Sequence, residues 1–264
     1  MHDTDQDLLV VRGLSHHFGG LQAVDNVDLS LPAGRLMALI GPNGAGKSTT
    51  VNLLAGVIGA TRGEVRLAGE NLMGRASHRV AQAGLVRTFQ NGRLFTRLSV
   101  LENVLVGASA RYQSGFVATL LRSARFREDE RAMHARAMQL LEGLGLARDA
   151  HREVRELPYG KQRKVEIARA LILQPRVLML DEPAAGLNSG EVEELIDYVN
   201  GLRREGLSIL LIEHNMGLVM RLADHIAVLN FGQLIASGRP QEVRNNEAVI
   251  EAYLGRKKVP HAAM

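Results

Sequence analysis

Apolar residues along the chain fall into two kinds of short run. In LLVVRGL (8–14), AVDNVDLSL (23–31) and EVRLAGE (64–70) they alternate with polar residues and have turn formers nearby. Alternation at period two buries one face of a strand and wets the other, so these segments predict half-buried antiparallel strands. RLMALIG (35–41), LVRTF (85–89), RVLMLDE (176–182), SILLIEH (208–214) and HIAVLN (225–230) are nearly continuous apolar runs. Such runs predict strands of a parallel sheet covered on both faces. With helical stretches such as STTVNLLAG (48–56) and RKVEIARAL (163–171) between them, the pattern is that of an α/β domain with a mostly parallel sheet and an antiparallel β subdomain.

Between Asn91 and Pro175 the period changes. SVLENVLVG (99–107) and EDERAMHARAMQLLEGLGL (128–146) have helical spacing, and the segment holds no convincing strand. It predicts a helical subdomain inserted between two strands of the sheet. GFVATLLRSARFRE (115–128) is basic and amphipathic; packing on its own subdomain is preferred to lying on a membrane surface. The expected organisation is one domain over 1–264, with a core at about 8–90 and 176–255, the helical insertion at about 91–175, and a disordered tail, RKKVPHAAM, at 256–264.

Composition narrows the class further. The 264 residues suffice for a substantial core, and 32 basic against 28 acidic side chains leave a charge of only +4. That excess does not select nucleic acid, and none is expected as a partner. The absence of cysteine excludes disulfides and thiolate metal sites and fits a reducing, cytoplasmic compartment. MHDTDQD at the start has no apolar segment of a secretory signal. No uncharged apolar stretch reaches the roughly 18 residues of a membrane span. Any work at a membrane is therefore expected to be peripheral, through a partner, with the isolated chain soluble.

Gly41-Pro42-Asn43-Gly44-Ala45-Gly46-Lys47-Ser48, with Thr49 next, fits the phosphate-binding loop G-x-x-x-x-G-K-[ST] and lies between a predicted strand and a predicted helix. Its glycines let backbone N–H groups turn toward phosphate, the helix N-terminus adds positive potential, Lys47 reaches the β- and γ-phosphates, and Ser48 can ligate Mg2+. Asp181 and Glu182 end the run VLML. Alone, such a pair is often a helix cap; beside a phosphate loop, Asp181 can hold Mg2+ and Glu182 can activate the attacking water. His214 follows SILLIE on the same sheet edge, where an imidazole could bond the γ-phosphate and orient the water, although a lone histidine is more often structural. Gln90 ends LVRTF, where its amide could bind Mg2+ or water, or simply sit at the surface. LPYGKQ (157–162), opening a helix far along the chain, reads as a second phosphate-binding turn.

GPNGAGKST, Gln90, LPYGKQ, LMLDEP, AGLN and His214 follow one another as do the Walker A, Q-loop, signature, Walker B, D-loop and H-loop of ATP-binding cassette ATPases, which this chain resembles over nearly its whole length. RTFQNGRLF, LIEHNMGLVM and RNNEAVIEAYLG resemble in addition the ATPase subunits of branched-chain amino acid importers. The resemblance implies a P-loop NTPase core hydrolysing ATP with Mg2+. Ser48, Gln90 and Asp181 would lie at the metal, Glu182, Gln90 and His214 at the reacting water, and Phe18 on the adenine. It implies a head-to-tail dimer with an identical or related ATPase subunit, in which Gly160 and Lys161 contact the γ-phosphate of the other subunit's ATP. It also implies transmembrane permease subunits, reached at the cytoplasmic face of the inner membrane and fed by a solute-binding protein. Leu94 and Phe95 are then expected in the groove that receives a permease helix. A soluble ATPase of the same family acting in assembly is the alternative.

Overall fold

A computed structural model of the chain describes residues 7–88, 94–108 and 124–254. Gln90, residues 115–123 of the basic amphipathic segment and the tail 256–264 fall outside them. In chain order the strands are β1 (Asp7–Phe18), β2 (Leu21–Pro32), β3 (Leu36–Ile40), β4 (Arg62–Leu67), β5 (Glu70–Asn71), β6 (Leu85–Arg87), β7 (Val177–Asp181), β8 (Ser208–Ile212), β9 (His225–Asn230) and β10 (Gln233–Gly238). The helices are α1 (Lys47–Leu54), α2 (Ser77–Ala83), α3 (Val100–Ala108), α4 (Ala124–Gly143), α5 (Tyr159–Leu171), α6 (Ser189–Arg204), α7 (Met216–Leu222), α8 (Pro240–Arg244) and α9 (Glu247–Leu254). Packing divides the chain into two compact units, 1–74 with 210–264 and 75–209.

In the first unit β2, β1, β4 and β5 form the antiparallel sheet that the alternating runs predict. Register sets Leu9 opposite Leu31 and Leu67, and Val11 opposite Leu29 and Val65, all buried, so one face is apolar throughout. β3 is parallel to β9, and every residue of β3 is buried. β10 then pairs antiparallel with β9, a strand the hydrophobic pattern does not announce. Its signal lies in the connection: Phe231-Gly232 is a two-residue turn with φ of 47° and 81°, the mirror-image conformation that hairpins favour.

The second unit pairs β6 parallel with β7. Between those two strands the chain builds a helical cluster whose core includes Val100 and Val104 of α3, Ala137 and Leu141 of α4, and Val165 and Ala168 of α5. α3 and α5 meet backbone to backbone at Gly107, where a Cβ would overlap the Arg169 carbonyl. α5 begins four residues earlier than the run RKVEIARAL, at Tyr159, with Pro158 as its N-cap. Asn188 and Glu191 cap α6 reciprocally, a signature readable in the sequence as N-x-x-E before an apolar helix. β8 is wholly buried, and its residues belong partly to each unit.

Candidate functional site

The phosphate loop is built within the first unit. The chain leaves buried β3 at Gly41, where φ is +151° and a Cβ would overlap the Leu229 carbonyl oxygen. Gly46 caps α1 at φ +100°, and a Cβ there would come within 2.5 Å of the Ala23 carbonyl oxygen. Neither position tolerates a side chain without strain. The loop is tied from behind, because Gly232 N donates to Ala45 O at 3.0 Å and Asp25 N donates to Gly232 O at 2.8 Å. The β9–β10 turn therefore serves the loop as a brace. Lys47 is buried, and its Nζ donates to the carbonyls of Gly41 (2.7 Å) and Pro42 (2.9 Å). Asn43, Gly44 and Ser48 are exposed, Pro42 and Thr49 half-buried, and no carboxylate lies in the first turn of α1. Cation, helix end and turned-in backbone suit an anionic phosphate.

In the same unit Phe18 ends β1 with a half-exposed ring packed edge-on against His16, their centroids 4.5 Å apart. His214 follows β8 with its side chain 60% exposed. Its backbone is anchored by buried Glu213, whose Oε2 accepts the N–H groups of His214 (3.0 Å) and Asn215 (3.2 Å). At the loop's far edge, the Gly41 N–H bonds the Tyr253 phenol of α9, whose pKa burial raises and this contact lowers in part.

The second unit holds the acidic pair. Asp181 ends β7 almost fully buried; its Oδ2 accepts from Arg87 Nη2 at 2.6 Å, whereas Oδ1 is buried without a hydrogen-bond partner. Thr88 Oγ1 accepts from Asp181 N at 3.2 Å, fixing the strand end. Glu182 is half-buried and adopts φ +48°, a left-handed conformation costing about 1–2 kcal/mol outside glycine. Sequence reasoning missed this strain and the Arg87 contact, although an arginine inside the apolar run LVRTF was a signal. The unsatisfied Oδ1 fits a hard cation. Among the described residues no group of three or more histidines and acids could cage a metal, and Mg2+ characteristically takes one or two protein ligands and completes its shell with phosphate and water.

The second phosphate-binding turn also lies in this unit. Gly160 packs against α6, where a Cβ would overlap the Glu191 carboxylate. Tyr159 is half exposed, with the Arg163 guanidinium 5.2 Å from its ring centre. Lys161 Nζ contacts Asp149 Oδ2 at 2.6 Å. That hydrogen bond, together with Arg152 at 3.0 Å, holds the Asp149 carboxyl below its ordinary pKa. The ammonium, 42% exposed, is paired with a carboxylate that is itself almost fully buried. Leu94 joins the buried core of that cluster, while Phe95 is half exposed, its N–H donating to Asn103 Oδ1 at 2.8 Å. Of the two apolar residues expected in a permease groove, only Phe95 offers its side chain.

Comparison with known proteins gives a family-model match to "ABC transporter" over residues 24–185 and one to "Branched-chain amino acid ATP-binding cassette transporter" over 233–258. The chain is 45% identical over 249 residues to the high-affinity branched-chain amino acid transport ATP-binding protein BraF of Pseudomonas aeruginosa, covering 94% of this chain and 98% of that one. It is 46% identical over 251 residues to LivG of Escherichia coli, with 95% and 98% coverage. Among solved structures, a nucleotide-free ATP-binding cassette from an ABC transporter matches with TM-score 0.83 and 31% identity over 95% of this chain and 100% of that one.

Proposed function

We propose, since this chain belongs to the ABC transporter family, that it is the ATP-hydrolysing subunit of an importer for branched-chain amino acids. The observation that carries the solute is the likeness to two named branched-chain amino acid transport ATP-binding proteins along nearly the whole of each chain, reinforced by the C-terminal match. A soluble assembly ATPase has no comparable support. Uptake of labelled leucine, isoleucine and valine in cells lacking this subunit tests the reading. Uptake unchanged for all three would overturn the solute assignment, and loss of uptake of a different solute would replace it.

In this reading the residues divide the work by their chemistry. Backbone N–H groups between Asn43 and Thr49 and the α1 N-terminus bind the phosphates, with Lys47 turning from its carbonyl partners to the β- and γ-oxygens. Phe18 stacks on adenine. Ser48, Asp181 and Gln90 offer oxygens to Mg2+, which when bound neutralises charge on the phosphates. Glu182 takes the proton of the attacking water, and His214 and Gln90 orient it.

The turn at Gly160 binds the γ-phosphate of a second subunit through its N–H groups and the start of α5. Lys161 joins by exchanging Asp149 for phosphate. Lys161→Ala is then expected to leave nucleotide binding by the monomer intact and to weaken the ATP-driven dimer of a Glu182→Gln background, as read by sizing with and without ATP. A dimer indifferent to the substitution assigns the contact to backbone alone.

The same reading couples the chain to a permease at the cytoplasmic face of the inner membrane; within the chain itself, no helix among the described residues is long and apolar enough to cross a membrane. Phe95 is the apolar contact offered. Cysteine at Phe95 is expected to crosslink to a cytoplasmic permease loop, and cysteine at buried Leu94 to do so far less. Equal crosslinking at both positions, or none, would remove Phe95 from the interface.

A further inference from the structure

Asp181 closes a strand in which every residue is buried, a setting that strongly disfavours an uncompensated carboxylate. Arg87 supplies the compensation. Its Nη2 lies 2.6 Å from Oδ2, with the two side chains 11% and 1% exposed. The other oxygen, Oδ1, has no hydrogen-bond partner. The carboxylate is paired but half satisfied. The reach of Arg87 is set by the sheet: its strand is in register with β7 at Met179, and the next residue, Thr88, donates its N–H to the Met179 carbonyl at 2.9 Å and accepts the Asp181 N–H at 3.2 Å.

From these contacts we infer that Arg87 is a resident cation competing with metal for the Asp181 carboxylate: its hold on Oδ2 compensates the charge in the metal-free protein, opposes a second cation at Oδ1, and loosens when divalent metal and nucleotide arrive. The inference rests on the ATPase reading above, which gives Asp181 its metal. A divalent ion concentrates two charges where the guanidinium spreads one over a planar fork, and it engages oxygen alone. The exchange therefore favours the metal when phosphate and water complete its shell. Without them, Arg87 keeps the buried charge compensated. Arg87 is thus a positioning residue that sets metal affinity, whereas a purely structural arginine would clip β6 to β7 in every state and leave that affinity unchanged.

The test uses the full chain with a non-hydrolysable ATP analogue, measuring Mn2+ binding by electron paramagnetic resonance and thermal denaturation with and without metal. Arg87→Ala is expected to tighten Mn2+ on the order of tenfold, the scale of losing a charge-assisted hydrogen bond to the competitor. It should also enlarge the stabilisation that metal and nucleotide bring. Arg87→Gln retains volume and a neutral donor; it should shift Mn2+ affinity the same way by less, and it serves if the alanine variant does not fold. Arg87→Lys, which keeps the charge, should stay near the parent. Mn2+ affinity unchanged or weaker in folded Ala or Gln variants overturns the inference. Failure of the parent chain to bind a fluorescent ATP analogue would overturn the ATPase reading instead, so the two failures are distinguishable.

Discussion

Replacing Glu182 with glutamine is expected to lower ATP turnover by on the order of 10²-fold or more while nucleotide binding persists, the usual scale for removing a general base. The carboxylate follows buried Asp181 at the end of β7, and its backbone is held at φ +48°. Glutamine matches glutamate in size and is asked to bear the same left-handed conformation, so the fold should be retained and the loss confined to chemistry. Steady-state phosphate release beside binding of a fluorescent ATP analogue separates the two. Near-normal hydrolysis would remove Glu182 from the mechanism. Glu182→Gly adds a second arm, since glycine adopts positive φ without the side-chain penalty. Turnover should fall as far as with glutamine, with no fall in melting temperature beyond that of the glutamine variant.

Lys47→Ala is expected to weaken ATP binding about ten- to a hundredfold, because a hydrogen bond to a charged group contributes ~1.5–3 kcal/mol and ~1.4 kcal/mol is a factor of ten. The ammonium lies between the Gly41 and Pro42 carbonyls at 2.7 and 2.9 Å, so turning to phosphate exchanges neutral acceptors for charged ones. Lys47→Arg should not restore affinity. Its planar, longer guanidinium cannot reproduce a compact charge seated between two backbone oxygens. Titration calorimetry checks affinity, and thermal denaturation checks that the loop's carbonyl contacts were not the main loss. Parent-like affinity in Lys47→Ala would show that the backbone N–H groups and helix end bind phosphate unaided.

Much of the site was legible because its chemistry is carried by residue type at short spacing. Gly41, Gly46, Lys47 and Ser48 must lie within one turn to surround a phosphate, so their order along the chain encodes their geometry. Asp181 and Glu182 are singled out in the same way, as acids closing an apolar run that is a buried strand in the structure. Lys161 and Leu94 show the reverse. Local sequence offers a lysine at a helix start and a leucine in a loop. Asp149, twelve positions upstream, engages the first, and the helical cluster buries the second.

The sequence by itself determined the α/β alternation, the antiparallel strands of the first unit and the phosphate loop, since hydrophobic period and glycine placement act over a few residues. Tertiary structure decided what those residues meet. It added β10 behind a two-residue turn and braced the phosphate loop with Gly232. It also strained Glu182 and brought Arg87 to Asp181 across 94 positions of chain. A buried charge must find its partner wherever the sheet register sets one, and that register is fixed by packing over the whole strand pair rather than by the few residues around either charge.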